Sequence, residues 1–220
     1  MLVEETALVN ISTGKPTFDG RKYTSVRSQS LPLVLGVLWL FGMTLGLVAL
    51  GIYGNTPGRP AAEFVESSWP AASKLPRRSG HKNLVIFAHP RCPCTRATLE
   101  ELHRILARSR RIPDTHIVFM DGSDRGAPLW HSAAAIPGVQ IVNNGGTEAR
   151  AFQAFTSGQT FLFDEAGKLR FAGGITGARG HVGDNSGASA VLSILNGDSS
   201  ARERSFVFGC ALSASPGAIQ

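Results

Sequence analysis

The sequence predicts an α/β chain: a mixed sheet flanked by helices, preceded by one N-terminal transmembrane helix. Three observations predict it. Strand-like and helix-like stretches follow one another as β-α-β-α-β-α-β-β-α between residues 83 and 195, the pattern of a sheet covered by helices on both faces. Asn83 to Leu102 runs from an unbroken apolar segment, through two cysteines, into helical spacing. Leu31 to Tyr53 carries no charge at all.

Taken in order, residues 1–30 read as a polar tail holding Lys15, Arg21, Lys22 and Arg27, with no amphipathic period. Leu31 to Tyr53 is rich in Leu, Val and Gly, and about 20 apolar residues suffice to cross a bilayer. It reads as a transmembrane signal anchor. Tyr53 suits the membrane interface, whereas Trp39 lies too deep for it. Four basic residues precede the span, and Arg59 is the only one among the twenty that follow. That asymmetry puts the N-terminus in the cytoplasm and residues 54–220 outside. A cleaved signal peptide fits less well, because the polar lead is long and no small-x-small site ends the apolar run. Residues 54–81, with Pro57, Pro60, Pro70 and Pro76, read as a linker. Its stretch from Phe64 to Trp69 is suited to pack as an N-terminal addition to a domain of residues 82–212.

Leu84 to Ala88 is short and wholly apolar, as in a strand buried on both faces. From Thr95 the spacing becomes helical, with Leu99, Leu102 and Leu106 on one side and Arg96, Glu100, His103 and Arg104 on the others. Arg108, Arg110 and Arg111 complement the helix end. Thr115 to Met120 is a second core strand that ends at Asp121. Ala127 to Ala135 suits a short helix stopped by Pro137-Gly138, and Val139 to Val142 is a third strand. Thr147 to Phe155 reads as another short helix. Thr160–Phe163 and Lys168–Ala172 form a hairpin through Asp164-Glu-Ala-Gly167. Gly173 to Gly187 is a long loop with six glycines, Ala188 to Leu195 the last helix, and Phe206 to Cys210 an apolar patch in the tail. Asp184-Asn185 sits where a helix N-cap is needed. Asp121 and Asp164 read as turn residues, His103 and His131 as surface or half-buried helix residues, and His116 as structural.

The cysteines carry the chemistry. Cys92 and Cys94 stand where a strand hands over to a helix N-terminus, whose unpaired N–H groups favour a thiolate. Arg91 and Arg96 add positive charge, and His89 adds more when protonated. A nucleophilic Cys92 resolved by Cys94 fits this arrangement; so do a metal-binding pair and a pair of buried, inert thiols. Three cysteines are too few for a disulfide scaffold, and their odd number leaves one unpaired. The 22 Lys+Arg against 16 Asp+Glu make the chain basic. The arginines are scattered and only two Tyr are available for stacking, so nucleic-acid binding is poorly supported.

Strand, cysteine pair and helix, followed by a distal Thr160-Phe-Leu-Phe-Asp hairpin with Gly167-Lys-Leu, resemble the thioredoxin fold and its membrane-anchored, outward-facing TlpA-like branch. His89-Pro-Arg-Cys-Pro-Cys94, Thr156-Ser-Gly-Gln-Thr160, Gly173 through Asn185, and Phe208-Gly-Cys210 are similar to the RedB-type thioredoxin-like proteins. The thioredoxin resemblance covers about residues 60–197, and the RedB-type resemblance continues to Leu212. Two departures stand out. The cysteine spacing is C-x-C where thioredoxins have C-x-x-C, so a disulfide would close a smaller, more strained and more reducible ring. Gln159-Thr160 stands where thioredoxins carry a cis-Pro that helps shape the substrate groove.

The resemblance implies thiol–disulfide exchange outside the membrane, with Cys92 attacking and Cys94 resolving, no cofactor, and protein thiols or disulfides as partners. His89, Arg91, Thr160, Arg179, His181 and Cys210 are the supporting candidates. The fold analogy returns the glycine-rich loop to the cysteine edge, so that Arg179 and His181 come over Cys92. His181 is then placed to shuttle protons or to bind metal, the alternative being a solvated residue of a glycine-rich surface loop. A Sco-like copper module, with Cys92, Cys94, His181 and Cys210 as ligands, is the alternative that soft thiolates suit. A non-catalytic thioredoxin-fold interaction domain is the third.

Overall fold

The computed structural model describes residues 30–61, 67–120, 126–143, 145–198 and 204–212. Helix α1 (Ser30–Asn55) has 26 residues and none of them is buried. Among the described residues it is the helix long and apolar enough to cross a membrane. The chain divides into two compact units, one ending at Leu45 and the other beginning at Gly46. The second unit holds the sheet.

Five strands make that sheet: β1 (Asn83–Ala88), β2 (Asp114–Phe119), β3 (Val139–Val142), β4 (Thr160–Phe163) and β5 (Leu169–Gly173), in the spatial order β3-β2-β1-β4-β5. β1 runs parallel to β2, and β2 to β3, while β4 is antiparallel to both β1 and β5. Helices α2 (Pro93–Arg108), α3 (Pro128–Ala134), α4 (Gly145–Ala151) and α5 (Ser186–Leu195) complete it.

The apolar run of β1 is explained by burial on both faces. Leu84, Ile86 and Ala88 pack with Leu99 and Leu102 of α2 and Val191 and Ile194 of α5. Val85 and Phe87 join a second core with Phe152, Phe161 and Phe163. A strand flanked this way has no solvent face to carry polar residues. The second core is aromatic: Trp69 meets Phe152 edge-on at 5.4 Å and Phe163 at 5.0 Å, and Phe152 meets Phe87 at 5.4 Å. The segment before the sheet is therefore packed at Trp69, and Ser67 and Ser68 add to the β5 edge. Phe64 lies outside the described residues, as does Asp121.

Several elements differ in extent from the sequence reading. α4 stops at Ala151 and does not reach Phe155, because Gln153 takes a left-handed φ of 52° and Ala154 N–H bonds back to the Ala149 carbonyl at 2.8 Å. β5 starts at Leu169 because Lys168 belongs to the turn, where Asp164 Oδ1 accepts from the N–H of Ala166 and Lys168. α5 begins at Ser186, two residues earlier than expected, with Asn185 as its N-cap accepting from Ala188 N–H at 2.8 Å. In the tail, Val207 and Phe208 are buried but Phe206 is 71% exposed. The Phe206 carbonyl, accepting from Gly174 N–H, docks there in place of the ring.

Candidate functional site

α2 opens with Pro93, whose fixed φ and missing N–H suit the first helical position. Cys92 is its N-cap, in extended conformation and 1% exposed. Its sulfur makes no full capping hydrogen bond, yet the N–H groups of Cys94 and Thr95 lie close enough to stabilise negative charge on it. The turn before it is braced on all sides. Thr95 Oγ1 donates to the His89 carbonyl at 2.9 Å and contacts Ser157 Oγ at 3.0 Å, and His89 N–H donates to Ser157 Oγ at 3.0 Å. His89 Nδ1 accepts from the Arg91 N–H at 3.2 Å, so His89 holds the turn's shape. Arg91 is exposed at the mouth.

The third cysteine comes from the far end of the chain. Residues 204–212 form a strap across the sheet edge: Thr156 bridges Ala211 in antiparallel fashion, Ser157 N–H donates to the Cys210 carbonyl, and Leu212 N–H donates to the Phe155 carbonyl, both at 2.8 Å. Gly58 N–H holds the Val207 carbonyl at 2.8 Å. This pairing delivers Cys210 Sγ to within 2.6 Å of Cys92 Sγ. A side chain on Gly209 would collide with the Ser157 carbonyl, so the approach depends on glycine there.

The glycine-rich loop does return to the cysteine edge. Gly180 N–H stabilises charge on the Cys94 sulfur. Arg179 Nη1 donates to the Gly209 carbonyl at 2.6 Å, and its guanidinium lies 4.8 Å from the Tyr53 ring centre. Arg179 Nε is buried without a partner among the described residues. His181 is exposed, its backbone N–H bonds to the Ala178 carbonyl, and its ring lies near Gly183. No contact ties that ring to a cysteine among the described residues. Thr160 is buried in β4, and its hydroxyl turns back to the Gly158 carbonyl at 3.1 Å. Ser157, the strap, Arg179 and Gly180 are the neighbours of the cysteines in its place.

Electrostatics separate the three thiols. Burial pushes Cys92 up, but the Cys210 side chain and the N–H groups of Cys210, Cys94 and Thr95 outweigh it and hold its pKa below the ordinary value. Cys94 is raised by burial and by Cys92, with Gly180 N–H and Arg179 opposing. Cys210 is pushed up to about 12 by burial, by its hydrogen bond to Cys92 and by the charges of the other two sulfurs, against the pull of Arg179. One nucleophile with two protonated neighbours is the arrangement that thiol exchange needs.

Cys92 forms part of the wall of a cleft of about 630 Å³, together with Pro90, Arg91, Arg96, Leu129 and Gly180. Three more residues shape the site: Ser157 and Gly209, which lie inside the Thr156–Thr160 and Phe208–Cys210 motifs without a role assigned to them, and Glu101, which the sequence did not single out. Glu101 is 4% exposed and accepts from Gly183 N–H at 2.6 Å, tying the loop to α2. Its one signal in the sequence was spacing, an acid four residues before Ile105 on the side of α2 that proves buried. Among the described residues no group of three or more His, Cys, Asp and Glu has a metal-holding arrangement.

No family model and no curated protein matches the sequence. Solved structures do match. An uncharacterized conserved protein from Geobacillus kaustophilus superposes with a TM-score of 0.50 at 16% identity, covering 74% of this chain and 95% of its own. A hypothetical protein from Sinorhizobium meliloti gives 0.49 at 20% identity, over 74% and 96%. The exposed lipoprotein thioredoxin of Streptococcus pneumoniae gives 0.39 at 18% identity, over 53% and 84%. Likeness at these identities speaks to the fold alone. With its central β1, its antiparallel β4–β5 hairpin and a cysteine at the β1–α2 junction, the chain has a thioredoxin-like fold.

Proposed function

We propose that the chain is a membrane-anchored thiol–disulfide oxidoreductase of the RedB-like kind, working outside the cytoplasm with Cys92 as its nucleophile. The observation that carries this reading is the Cys92 sulfur, held at a helix N-terminus with its pKa depressed and two more thiols beside it. The thiolate attacks one sulfur of a disulfide in the cleft, and the leaving thiolate takes up a proton. The mixed disulfide is then resolved by a second cysteine of the chain. Cys94 of the C-P-C pair and Cys210 compete for that role. Arg91 and Arg96 stand where they stabilise departing thiolates. α1 anchors the domain, and the positive residues before it put the domain on the outer side, where disulfides persist.

The test compares the reduced full chain in detergent with its Cys92→Ser variant. Iodoacetamide at pH 7 should modify Cys92 at least tenfold faster than Cys94 or Cys210, and exchange with a disulfide peptide should vanish in Cys92→Ser. Equal reactivity of the three cysteines, with exchange surviving in the variant, overturns the reading.

A further inference from the structure

We propose that Cys210, and not Cys94, is the thiol that resolves the mixed disulfide on Cys92, brought there by the strap 204–212. This inference rests on the oxidoreductase reading. Contact distance and chain geometry carry it.

The two sulfurs lie 2.6 Å apart, so less than an ångström of movement separates the contact from an S–S bond of about 2.05 Å. That closeness is built. The strap is registered by the Thr156–Ala211 bridge, by hydrogen bonds on either side of it, and by Arg179 on the Gly209 carbonyl. A segment held by backbone bonds on both sides of a bridge presents its side chains at fixed points.

Direction comes next. Exchange at sulfur is in line, so the resolving thiol enters opposite the leaving one. Cys92 borders the cleft from which a substrate sulfur arrives, and neither Cys210 nor Cys94 is part of that lining, so both stand off the entry side. Cys94 competes poorly on chain geometry. A Cys92–Cys94 bond must close across Pro93 alone, whose φ is fixed, whereas Cys210 comes from a separate segment with no such ring.

Charge permits the step. The groups that hold the proton on Cys210 include its hydrogen bond to Cys92 and the negative charge there. Both disappear once Cys92 enters a mixed disulfide, while the Arg179 cation stays. Cys210 thus becomes easier to ionise only after the first step; Cys94, also held up by the Cys92 sulfur, is released in the same way, so geometry and not charge selects the thiol.

The full sequence balances. Cys92 thiolate attacks R–S–S–R′; the Cys92–S–R bond forms, the substrate S–S bond breaks, and R′S⁻ leaves with the electron pair and takes a proton from solvent. Cys210 gives up its proton to solvent and attacks Cys92 Sγ; the Cys92–Cys210 bond forms and RS⁻ leaves to be protonated. Two chain thiols are oxidised and one substrate disulfide is reduced to two thiols. An external dithiol reverses the process to restore the chain.

The experiment treats the reduced full chain in detergent with one equivalent of 4,4′-dithiodipyridine and follows thiopyridone release. The expected result is two thiopyridones per reagent molecule from wild type and from Cys94→Ser. Cys210→Ser should stall after the first, with the pyridyl adduct on Cys92 persisting at least tenfold longer. Peptide mapping of the oxidised wild type, which needs no substitution, should find Cys92 joined to Cys210. Mapping of Cys92 to Cys94, or a stall in Cys94→Ser with none in Cys210→Ser, overturns this inference and leaves the oxidoreductase reading standing. Absence of any adduct on Cys92 overturns both.

Discussion

Gly209→Ala is the perturbation that bears most directly on the site. A Cβ at residue 209 would run into the Ser157 carbonyl, a backbone atom that has no rotamer to move into, so the strap must lift. Two hydrogen bonds span the affected point: Ser157 N–H to the Cys210 carbonyl at 2.8 Å, and Arg179 Nη1 to the Gly209 carbonyl at 2.6 Å. A neutral bond contributes about 1 kcal/mol net and a charge-assisted one about 1.5–3 kcal/mol. Losing both weakens the strap locally by about 3 kcal/mol. At about 1.4 kcal/mol per power of ten, the local opening equilibrium moves about a hundredfold. The Ser157 N–H is bonded to the Cys210 carbonyl in the closed form, so its hydrogen exchange reports that opening. The assay is the exchange rate of that amide in the reduced full chain at fixed pH, with thermal unfolding as the control. A rate rise of about a hundredfold with little change in melting is expected. A folded Gly209→Ala chain whose Ser157 amide exchanges within twofold of wild type would refute the dependence of the strap on this close approach.

Phe152→Ala removes the centre of the aromatic core, a ring with no exposure that meets Trp69, Phe87, Phe161 and Phe163. A loss of about 3–5 kcal/mol is expected in denaturant unfolding. His116 is wholly buried, and burial lowers its pKa from 6.5, with Asp114 opposing. The unfolded chain then binds the extra proton first, so this contribution to stability is complete above about pH 6.5 and falls as the pH drops below it. His116→Val should flatten the unfolding midpoint between pH 5 and 7, and an unchanged slope would remove His116 as its source. A reporter joined after Gln220 should be active only if it functions outside the cytoplasm; activity of a cytoplasm-only reporter there contradicts the topology proposed from the flanking charges.

What the sequence by itself determined is what short-range pattern encodes. The unbroken run Leu84 to Ala88 meant burial on both faces, and β1 is the central strand with a core on each side. Helical spacing after Thr95 and a proline at residue 93 located the start of α2, because a fixed φ without an N–H fits that one position. The uncharged stretch from Leu31 produced a helix of membrane-spanning length, since length and polarity are local properties. Even the return of the glycine-rich loop was legible through fold analogy. Tertiary structure decided the rest. The meeting of Cys92 with Cys210 joins residues 118 apart in the chain, through main-chain bonds between residues 204–212 and the 155–157 edge. Main-chain bonds carry almost no side-chain signature, so although Ser157 and Gly209 lie inside recognisable motifs, nothing in the sequence showed that these two meet. Phe206 belongs to the tail's apolar patch, yet it faces solvent because the backbone carbonyl docks there. The ordering of the three thiols also belongs to the fold: each sulfur's proton is held or released by N–H groups, by a guanidinium and by other sulfurs that only the folded chain brings together.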